Sequence, residues 1–386
     1  VKAKARLVAR GFEDAELGSL LTASPTCGRG MYRLAVQLCA NRGWVPSCID
    51  ITTAFLQGEP LNRDVYLAPP RGYAGHNVVW KLLKGVYGLS DAPRKWYLKV
   101  AKTFRELKSQ QVPFDQAFLF WLDDDGVLIG IITVHVDDFY WGGTEEFDKK
   151  IMAKIRKIFP VGKERRGDFI YCGLLHRTEE LGGGKLRITL DQHTYVESIE
   201  KVDVGVPPRS KSEHLSEEMQ TEYRALVGAL LWATGQTRPD IAFDVASAAS
   251  HNNKATYEQL RKLNAIVDKA KRTDVAMVYT SIPDKDIVLL GYADAAWANL
   301  PNGGTGGGYV VGLSDLHTFG FLSWRCRRLK RIVKSTLAGE TLALTDLVDE
   351  LVVLRETMKR MTGVAPRTIA RTDCMSLHDH IMKGKQ

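Results

Sequence analysis

The sequence predicts an α+β protein with more than one domain. Its 386 residues exceed the ~100 to 200 residues of an average domain. Strand-like and helical patterns are mixed up to about Tyr140, and a second strand-rich block nearer the C-terminus leads into a long helix. Apolar residues make up 45% and charged residues 25%, which excludes the disordered and fibrous classes.

The first block contains two strand-like stretches, at residues 46–55 and 127–136, and an amphipathic helix is predicted between them at residues 92–108. Residues 145–159 again have apolar side chains at helical spacing, so one face of this segment should pack on a sheet. The first block is therefore predicted to be a sheet with helices packed on it.

The second half begins with a predicted hairpin. Residues 169–190 hold two strand-like runs around three consecutive glycines, which indicates a turn and not a phosphate-binding loop. Residues 217–274 are mainly helical with a break at residues 238–240, typical of a packing or connecting region. A strand-rich block from about Ile287 ends in a helix at residues 339–361, where Leu and Met form one apolar stripe.

Charge and cysteine usage restrict the class of protein. The net charge of +8 and the pI near 9.0 favour a polyanionic partner such as nucleic acid, with a mildly basic enzyme as the alternative. The six scattered cysteines form no CxxC pair, which predicts free thiols in an intracellular, reducing compartment. The apolar stretch at residues 127–136 is about half the ~20 residues that cross a bilayer, so no membrane partner is expected. The sequence begins at Val1, and we expect a piece of a longer polyprotein.

Three aspartates of the first block stand at unusual positions. Asp137 and Asp138 lie in the predicted turn between an apolar strand and a second short one, and Asp50 interrupts another apolar strand. An Asp in such a strand is costly unless it is paired, hydrogen-bonded or bound to metal. Mg²⁺ takes carboxylates together with substrate phosphates, and two ions can stabilise both oxygens of a phosphoryl displacement. Three convergent aspartates would suffice, although an Asp pair at a turn is more often simply solvated.

Segments spread along the chain resemble the Pol polyproteins of copia-type retrotransposons, in the order and approximate spacing of that family. The segments are KARLVARGF (4–12), DITTAFLQGEP (50–60), VYLAPPRGY (65–73), VYGLSDAPRKWY (86–97), VHVDD (134–138), YCGLLHR (171–177), YRALVGALLWAT (223–234), TRPDIAF (237–243), GYADAAWA (291–298) and STLAGETLAL (335–344). The resemblance implies a right-hand polymerase fold with fingers, palm and thumb, followed by an RNase H-like α/β domain.

By this resemblance, residues 1–160 would be the fingers and palm of a reverse transcriptase, and residues 161–285 the thumb and connection. Residues 286–386 would be an RNase H-like domain that lacks its C-terminal end. The implied activity is RNA-directed DNA polymerisation with two Mg²⁺ or Mn²⁺ ions per active site. The implied partners are an RNA template, a DNA primer, the RNA/DNA hybrid and deoxynucleoside triphosphates, in a cytoplasmic virus-like particle or the nucleus.

The resemblance also assigns roles to residues of the polymerase part. The metal ligands would be Asp50, Asp137 and Asp138. The residues that grip the triphosphate or the template would be Lys4, Arg6 and Arg10, which otherwise read as solvated charges. Phe55 would exclude a 2′-hydroxyl on the incoming nucleotide, unless it is only a core aromatic on a strand. The primer grip would be the hairpin that contains Tyr171, Gly173 and His176.

Two residues depart from the family pattern. His135 stands where copia-type enzymes usually carry an aromatic residue, and Asp91 stands where they usually carry Gln. A further carboxylate near a triphosphate should repel it. An inactive nucleic-acid-binding relic of a retrotransposon is therefore the alternative function. A hydrolase unrelated to nucleic acid is excluded because there is no GxSxG, HExxH or P-loop pattern.

The C-terminal block contains a second acidic set, which the resemblance assigns as ligands of two metal ions in the RNase H-like domain: Asp294, Glu340 and Asp373. A basic run just before Glu340 would contact the phosphates of a hybrid, or else form a solvated face, through Arg325, Arg327, Arg328, Lys330 and Arg331. Because the family's last acidic position and last helix do not occur in the sequence, we expect weak or absent nuclease activity.

Overall fold

The computed structural model describes residues 6–70, 72–73, 78–204 and 210–384. Contacts divide the chain into two compact units, Val1–Gly28 with Pro46–Arg166 and Arg29–Val45 with Gly167–Gln386. The division into three functional parts at residues 160 and 285 stays a prediction.

The helices and strands of the described residues are numbered in chain order. The α-helices are α1 (Arg29–Arg42), α2 (Ala54–Gln57), α3 (Ala92–Glu106), α4 (Glu145–Phe147), α5 (Ala153–Ile158), α6 (His193–Glu197), α7 (Glu217–Gln236), α8 (Ala242–Ala249), α9 (Tyr257–Arg272), α10 (Thr336–Thr362) and α11 (Met375–Lys383). The strands are β1 (Ser47–Ile51), β2 (Pro60–Leu67), β3 (Trp80–Lys84), β4 (Gln110–Val112), β5 (Asp115–Leu122), β6 (Leu128–His135), β7 (Asp138–Gly143), β8 (Val161–Arg166), β9 (Phe169–Tyr171), β10 (Leu174–Gly182), β11 (Lys185–Asp191), β12 (Met277–Thr280), β13 (Val288–Leu300), β14 (Gly304–Ser314), β15 (Phe319–Arg328) and β16 (Arg367–Arg371).

A six-stranded antiparallel sheet forms the centre of the first unit, in the order β4-β5-β6-β7-β1-β8. One face is covered by α3 and by the helical segment from α4 to α5, which a π-helical turn at Asp148–Met152 makes continuous. These helices match the two segments with helical spacing in the first block. The strands β2 and β3 form a separate hairpin.

Close packing on this sheet depends on two glycines. Gly130 on β6 and Gly143 on β7 are cross-strand partners, and a Cβ on either would lie 2.3 to 2.4 Å from the buried ring of Phe147. The Phe147 ring therefore packs directly on the backbone of β6 and β7, and the helical segment that carries it comes close to the sheet.

The second unit contains a four-stranded antiparallel sheet, β12-β11-β10-β9, and a group of four helices, α6 to α9, that share one apolar core. The glycines Gly182, Gly183 and Gly184 turn the chain between β10 and β11 with positive φ, as predicted. The predicted helix break is a 3-10 turn at Pro239–Ile241 between α7 and α8.

A second sheet in this unit has the order β15-β14-β13-β16, with β13 to β15 antiparallel and β16 parallel to β13. The helix α10 makes the crossover to β16 and buries its stripe of Leu and Met side chains against β13 and β14. It begins at Thr336, three residues before the predicted start, because the hydroxyl of Ser335 accepts a hydrogen bond from the Ala338 amide.

Among the residues that the structure describes, we find no helix whose length and apolar character would carry it through a bilayer.

Candidate active site

Pairing of β1 with β7 brings two of the three predicted aspartates together. Ile49 and Ile51 face the core, so the alternation of the strand turns Asp50 to the opposite face, where it is exposed. Asp50 is the direct cross-strand partner of Asp138, and the Ile51 amide donates a 2.9 Å hydrogen bond to the Asp137 carbonyl oxygen. The three aspartates therefore meet at one end of the sheet.

The turn that carries Asp137 is held in a strained conformation. Val136 and Asp137 connect β6 to β7, and Val136 has φ of +59°, a value that β-branched residues rarely adopt. The indole nitrogen of Trp96 on α3, a buried side chain, donates a 2.7 Å hydrogen bond to the Val136 carbonyl oxygen. A buried tryptophan thus fixes a turn that the local sequence would not favour.

The electrostatics of this group favour a cation. Burial, followed by the charges of Asp137 and Asp50, raises the pKa of Asp138 to about 6. Burial also raises the pKa of Asp137, and Asp50 adds to the effect, while Arg6 and His135 oppose it. Carboxylates that disfavour one another's charge are stabilised when a divalent cation is shared between them.

These three carboxylates are less tightly grouped than the second acidic set. In the described parts of the chain, the group of three metal-ligating side chains whose ligand atoms all lie within 4.8 Å of one another is Asp294, Glu340 and Asp373. The Asp50, Asp137 and Asp138 set does not meet this distance. The backbones of these three aspartates lie close together, but their carboxylate groups are farther apart than those of the second acidic set.

Gly162 is a residue of this region that sequence reasoning missed. It lies on β8 beside Asp50, and a Cβ there would lie 2.5 Å from Asp50 Oδ2 and 2.9 Å from Thr52 Oγ1. Its φ does not require glycine, so the absent side chain is what makes room for the Asp50 carboxylate. No pattern in the sequence marks this glycine, because the contact arises from strand pairing.

Of the predicted nucleotide-binding residues, Arg6 lies near Asp137, and Phe55 shares the neighbour Tyr87 with Arg6. The Arg6 guanidinium is 5.1 Å from the ring centre of Tyr87, and the Tyr87 and Phe55 rings meet edge to face at 5.0 Å. Arg6 also lowers the pKa of Asp137. Phe55 belongs to α2 and not to a strand, because the chain turns into a helix after β1. It is partly buried and packs against the core, so its interpretation as a core aromatic stays open. Tyr87 was not predicted.

The structure does not connect the other two predicted basic residues, Arg10 and Lys4, with the aspartates. Arg10 is exposed and forms an ion pair with Glu13 at 3.2 Å, so its role in nucleotide binding stays a prediction. Lys4 lies outside the described residues.

Asp91 is not an unpaired charge in the nucleotide site. It is buried, and the Arg63 guanidinium donates hydrogen bonds to both of its carboxylate oxygens, at 3.1 and 3.2 Å. Asp91 is therefore ion-paired, but Arg63 also pairs with Asp14, so one positive charge is shared by two negative ones. The repulsion of a triphosphate by Asp91 stays a prediction.

The second acidic set lies in the second unit. Asp294 on β13 and Asp373 after β16 are exposed, while Glu340 near the start of α10 is buried and accepts a 3.4 Å hydrogen bond from the Ala295 amide. Burial, followed by the charge of Asp294, raises the pKa of Glu340. A groove of about 750 Å³ next to Asp294 and Asp373 is lined by aromatic and basic side chains, among them Phe243 and Arg371.

The basic run lies at the end of β15 and in the segment before α10. Most of its predicted members are exposed and form no ion pair with an acidic side chain of the described residues: Arg325, Arg328, Lys330 and Arg331. Arg327 is half-buried and forms a 2.7 Å ion pair with Asp346 on α10, so its charge is neutralised within the protein.

The predicted primer-grip hairpin is largely part of the core of the second unit. His176 is fully buried, with its Nε2 hydrogen-bonded to the Tyr32 hydroxyl and its ring stacked on Phe169. Tyr171 is buried and stacks on Tyr32. Contact of these two side chains with nucleic acid is therefore corrected to a packing role. Gly173, exposed at the turn with φ of +77°, stays a prediction.

The first unit combines an antiparallel sheet, acidic residues at a hairpin turn and a basic N-terminal segment beside them. Residues 1–165 match the family model described as reverse transcriptase (RNA-dependent DNA polymerase).

Similarity to retrotransposon proteins extends further. The chain is 28% identical over 361 residues to a retrovirus-related Pol polyprotein from transposon RE1 of Arabidopsis thaliana, covering 90% of this chain and 24% of that protein. It is 26% identical over 391 aligned residues to the Pol polyprotein from transposon TNT 1-94 of Nicotiana tabacum, covering 94% and 28%. The predicted resemblance to copia-type Pol polyproteins is confirmed, and the chain spans about a quarter of the length of these relatives.

A solved structure has a similar fold. The foamy viral protease-reverse transcriptase in complex with an RNA/DNA hybrid matches with a TM-score of 0.50 and 13% identity, over 92% of this chain and 46% of that one. The predicted polymerase fold and mixed α/β content are confirmed at this level.

Proposed function

We propose that the chain is the RNA-directed DNA polymerase part of a copia-type retrotransposon Pol polyprotein, extending DNA primers on RNA templates with deoxynucleoside triphosphates. The observation that carries the proposal is the pairing of Asp50 with Asp138, next to Asp137, in the part of the chain that matches the reverse transcriptase family model.

The donor set fits Mg²⁺ or Mn²⁺. Asp50, Asp137 and Asp138 supply hard oxygen ligands, and burial, followed by the charges of Asp137 and Asp50, raises the pKa of Asp138. Two bound ions would supply charge stabilisation for the primer 3′-hydroxyl that attacks and for the pyrophosphate that leaves.

The protein's own residues would orient the nucleotide. Arg6, stacked on Tyr87 and close to Asp137, is placed to neutralise a phosphate beside the aspartates. Phe55, whose ring meets that of Tyr87 edge to face, would lie under the sugar and exclude a 2′-hydroxyl.

The alternative, an inactive nucleic-acid-binding relic, is less favoured. One of its arguments was an unpaired charge on Asp91, and Asp91 is ion-paired with Arg63. Another was His135, which is exposed and whose charge would lower the pKa values of Asp137 and Asp138.

Primer extension tests the proposal. The chain should add dTTP to oligo(dT) on poly(rA) with Mg²⁺ or Mn²⁺, and Asp137→Asn should abolish the addition. Hybrid binding without addition by the unsubstituted protein would instead favour the relic.

For residues 286–386 we propose an RNase H-like domain. The sheet order β15-β14-β13-β16 with α10 as the crossover, and carboxylate atoms within 4.8 Å in the set of Asp294, Glu340 and Asp373, support it. Such a set would hold two divalent ions that activate water against the RNA strand. We expect weak or absent cleavage of the RNA strand of a labelled hybrid in Mn²⁺, and robust cleavage would overturn that expectation. Cleavage that Glu340→Gln leaves unchanged would refute the role of the acidic set.

A further inference from the structure

Arg63 is the centre of a buried ionic network in the first unit. Its guanidinium donates four hydrogen bonds: two to Asp91, at 3.1 and 3.2 Å, and two to Asp14, at 3.0 and 2.7 Å. The side chains of the three residues are 9% exposed or less. The network joins parts of the chain that lie far apart in sequence: the N-terminal segment, the strand β2 and the start of α3.

Such a network is a strong constraint on conformation. Two carboxylates chelated by one planar guanidinium fix the distances and angles between their backbones, which a lysine could not do. The hydrogen bond to Arg63 lowers the pKa of Asp14, in agreement with a paired charge. Removal of the arginine would leave two carboxylates buried and uncompensated.

The segment that Asp14 anchors is the one that carries Arg6. Before Asp14, the Ala9 amide donates a 2.7 Å hydrogen bond to the Tyr87 carbonyl oxygen. A Cβ on Gly11 would lie 2.0 Å from the Gly88 carbonyl oxygen, and a Cβ on Gly88 would lie 2.0 Å from the Ala9 carbonyl oxygen. The segment is therefore laid against the turn at Tyr87 and Gly88, and Arg6 extends from it over the Tyr87 ring.

We propose that Arg63 is a positioning residue for the incoming nucleotide: by holding Asp14, it fixes the segment that places Arg6 beside Asp137. Asp91 orients and balances Arg63 and so belongs to the anchor. The inference rests on the proposed polymerase function, since it assigns Arg6 to a phosphate of the nucleotide.

Three substitutions in the full chain test it. Arg63→Gln removes the anchor. Asp14→Asn removes the carboxylate charge that pairs with Arg63 and leaves the Arg63–Asp91 pair in place, in case Arg63→Gln does not fold; Glu16 of the same segment still lies 3.8 Å from Arg63. Arg156→Gln is the matched control, because Arg156 also bridges two carboxylates in the same unit, Asp148 and Glu164, away from the N-terminal segment.

Two measurements on these variants test the proposal. In steady-state addition of dTTP on poly(rA)/oligo(dT), the first two variants should raise KM for dTTP about tenfold with kcat within about twofold, as expected for a misplaced binding group. In hydrogen exchange, the amides of residues 6–14 should exchange faster in these variants than in the unsubstituted protein. Arg156→Gln should change neither quantity.

Unchanged KM together with unchanged exchange in both variants would overturn the proposal, as would an equal rise of KM in Arg156→Gln. If the unsubstituted protein adds no nucleotide, the polymerase function fails, and exchange alone then decides the anchoring: equal exchange in Asp14→Asn and Arg156→Gln refutes it.

Discussion

Asp50 and Asp138 are directly opposite each other on the antiparallel strands β1 and β7. The Cβ atoms of such a pair lie about 4.5 to 5.5 Å apart, and like charges at this position destabilise a sheet. Asp137 adds a third carboxylate one residue away. Without bound cations, the carboxylates of this site therefore destabilise the protein. Replacing one of them should raise the free energy of unfolding and lower the activity.

Asp138→Asn should make the protein more stable and less active. The pKa of about 6 corresponds to a cost of up to ~3 kcal/mol for the ionised form, which we discount to about 1 kcal/mol because the side chain is half-exposed. Urea unfolding in EDTA at pH 8 should show this gain, and primer extension should fall by at least about a hundredfold. A variant that loses stability, or that keeps its activity, would contradict the interpretation.

Gly162→Ala should impair primer extension with little effect on stability. Its new methyl group would meet the Asp50 carboxylate at 2.5 Å, and a flexible side chain can rotate away. We expect about a tenfold or greater loss of kcat/KM, since catalytic ligands tolerate little displacement, and a free energy of unfolding within about 0.5 kcal/mol of the unsubstituted protein.

Gly18→Ala is the control for this substitution, because a Cβ at Gly18 has no neighbour within 4 Å and Gly18 belongs to the same unit. Equal loss of activity in both variants would mean that the Asp50 contact is not the cause.

The sequence predicted the elements that have strong local signals. The helix α3, the helical segment from α4 to α5 and the stripe of α10 follow from apolar spacing, because a helix that packs on a sheet needs one apolar face. The turn between β10 and β11 follows from its glycines. Asp50 stood out because a charged residue inside an apolar strand is rare. Asp137 and Asp138, an acidic pair at a turn, were assigned to the site through the resemblance to copia-type Pol polyproteins.

What could not be predicted are contacts that depend on tertiary pairing. The need for glycine at position 162 arises from the packing of β8 beside β1, and the ion pair of Asp91 is made with Arg63, 28 residues earlier. Tyr171 and His176 stand in a motif typical of a nucleic-acid contact, yet the fold buries both against Tyr32. The local sequence does not show which face of a short strand will be buried by other parts of the chain.

Acid should destabilise the protein through His176. Burial lowers the pKa of His176 from 6.5 to about 3, so the unfolded chain binds a proton over this range that the folded protein does not. The free energy of unfolding does not depend on His176 above about pH 6.5, and it decreases by on the order of 3 to 5 kcal/mol as the pH falls towards 3. Urea unfolding from pH 7 to pH 4 should show this slope of the free energy of unfolding against pH.

His176→Gln should flatten that slope, whereas the exposed His317→Gln should leave it unchanged. The same slope in His176→Gln as in the unsubstituted protein would show that other groups cause the acid sensitivity.

Mn²⁺ should stabilise the second unit through its acidic set. In a protein with Asp50→Asn and Asp138→Asn, where the palm set is disabled, Mn²⁺ at a hundred times its Kd should add about 2.7 kcal/mol to the free energy of unfolding. The further change Asp294→Asn should remove this gain, because it takes one ligand from the group within 4.8 Å. Thermal unfolding with and without Mn²⁺ measures this gain in stability. If the gain persists in the protein with Asp294→Asn, the ion binds at another site.

Arg328 and Arg327 should differ in their contribution to hybrid binding, although they are neighbours on β15. Arg328 is exposed, whereas the charge of Arg327 is already neutralised by Asp346 at 2.7 Å. Binding of a phosphate releases counterions, so loss of one phosphate contact should weaken affinity and reduce the slope of log K against log salt by about 1. Arg328→Gln should show both effects in fluorescence-anisotropy titrations of an RNA/DNA hybrid between 50 and 200 mM salt, and Arg327→Gln should show much smaller ones. Equal effects of the two would mean that the Asp346 ion pair opens on binding, so that the basic run acts as one charged surface.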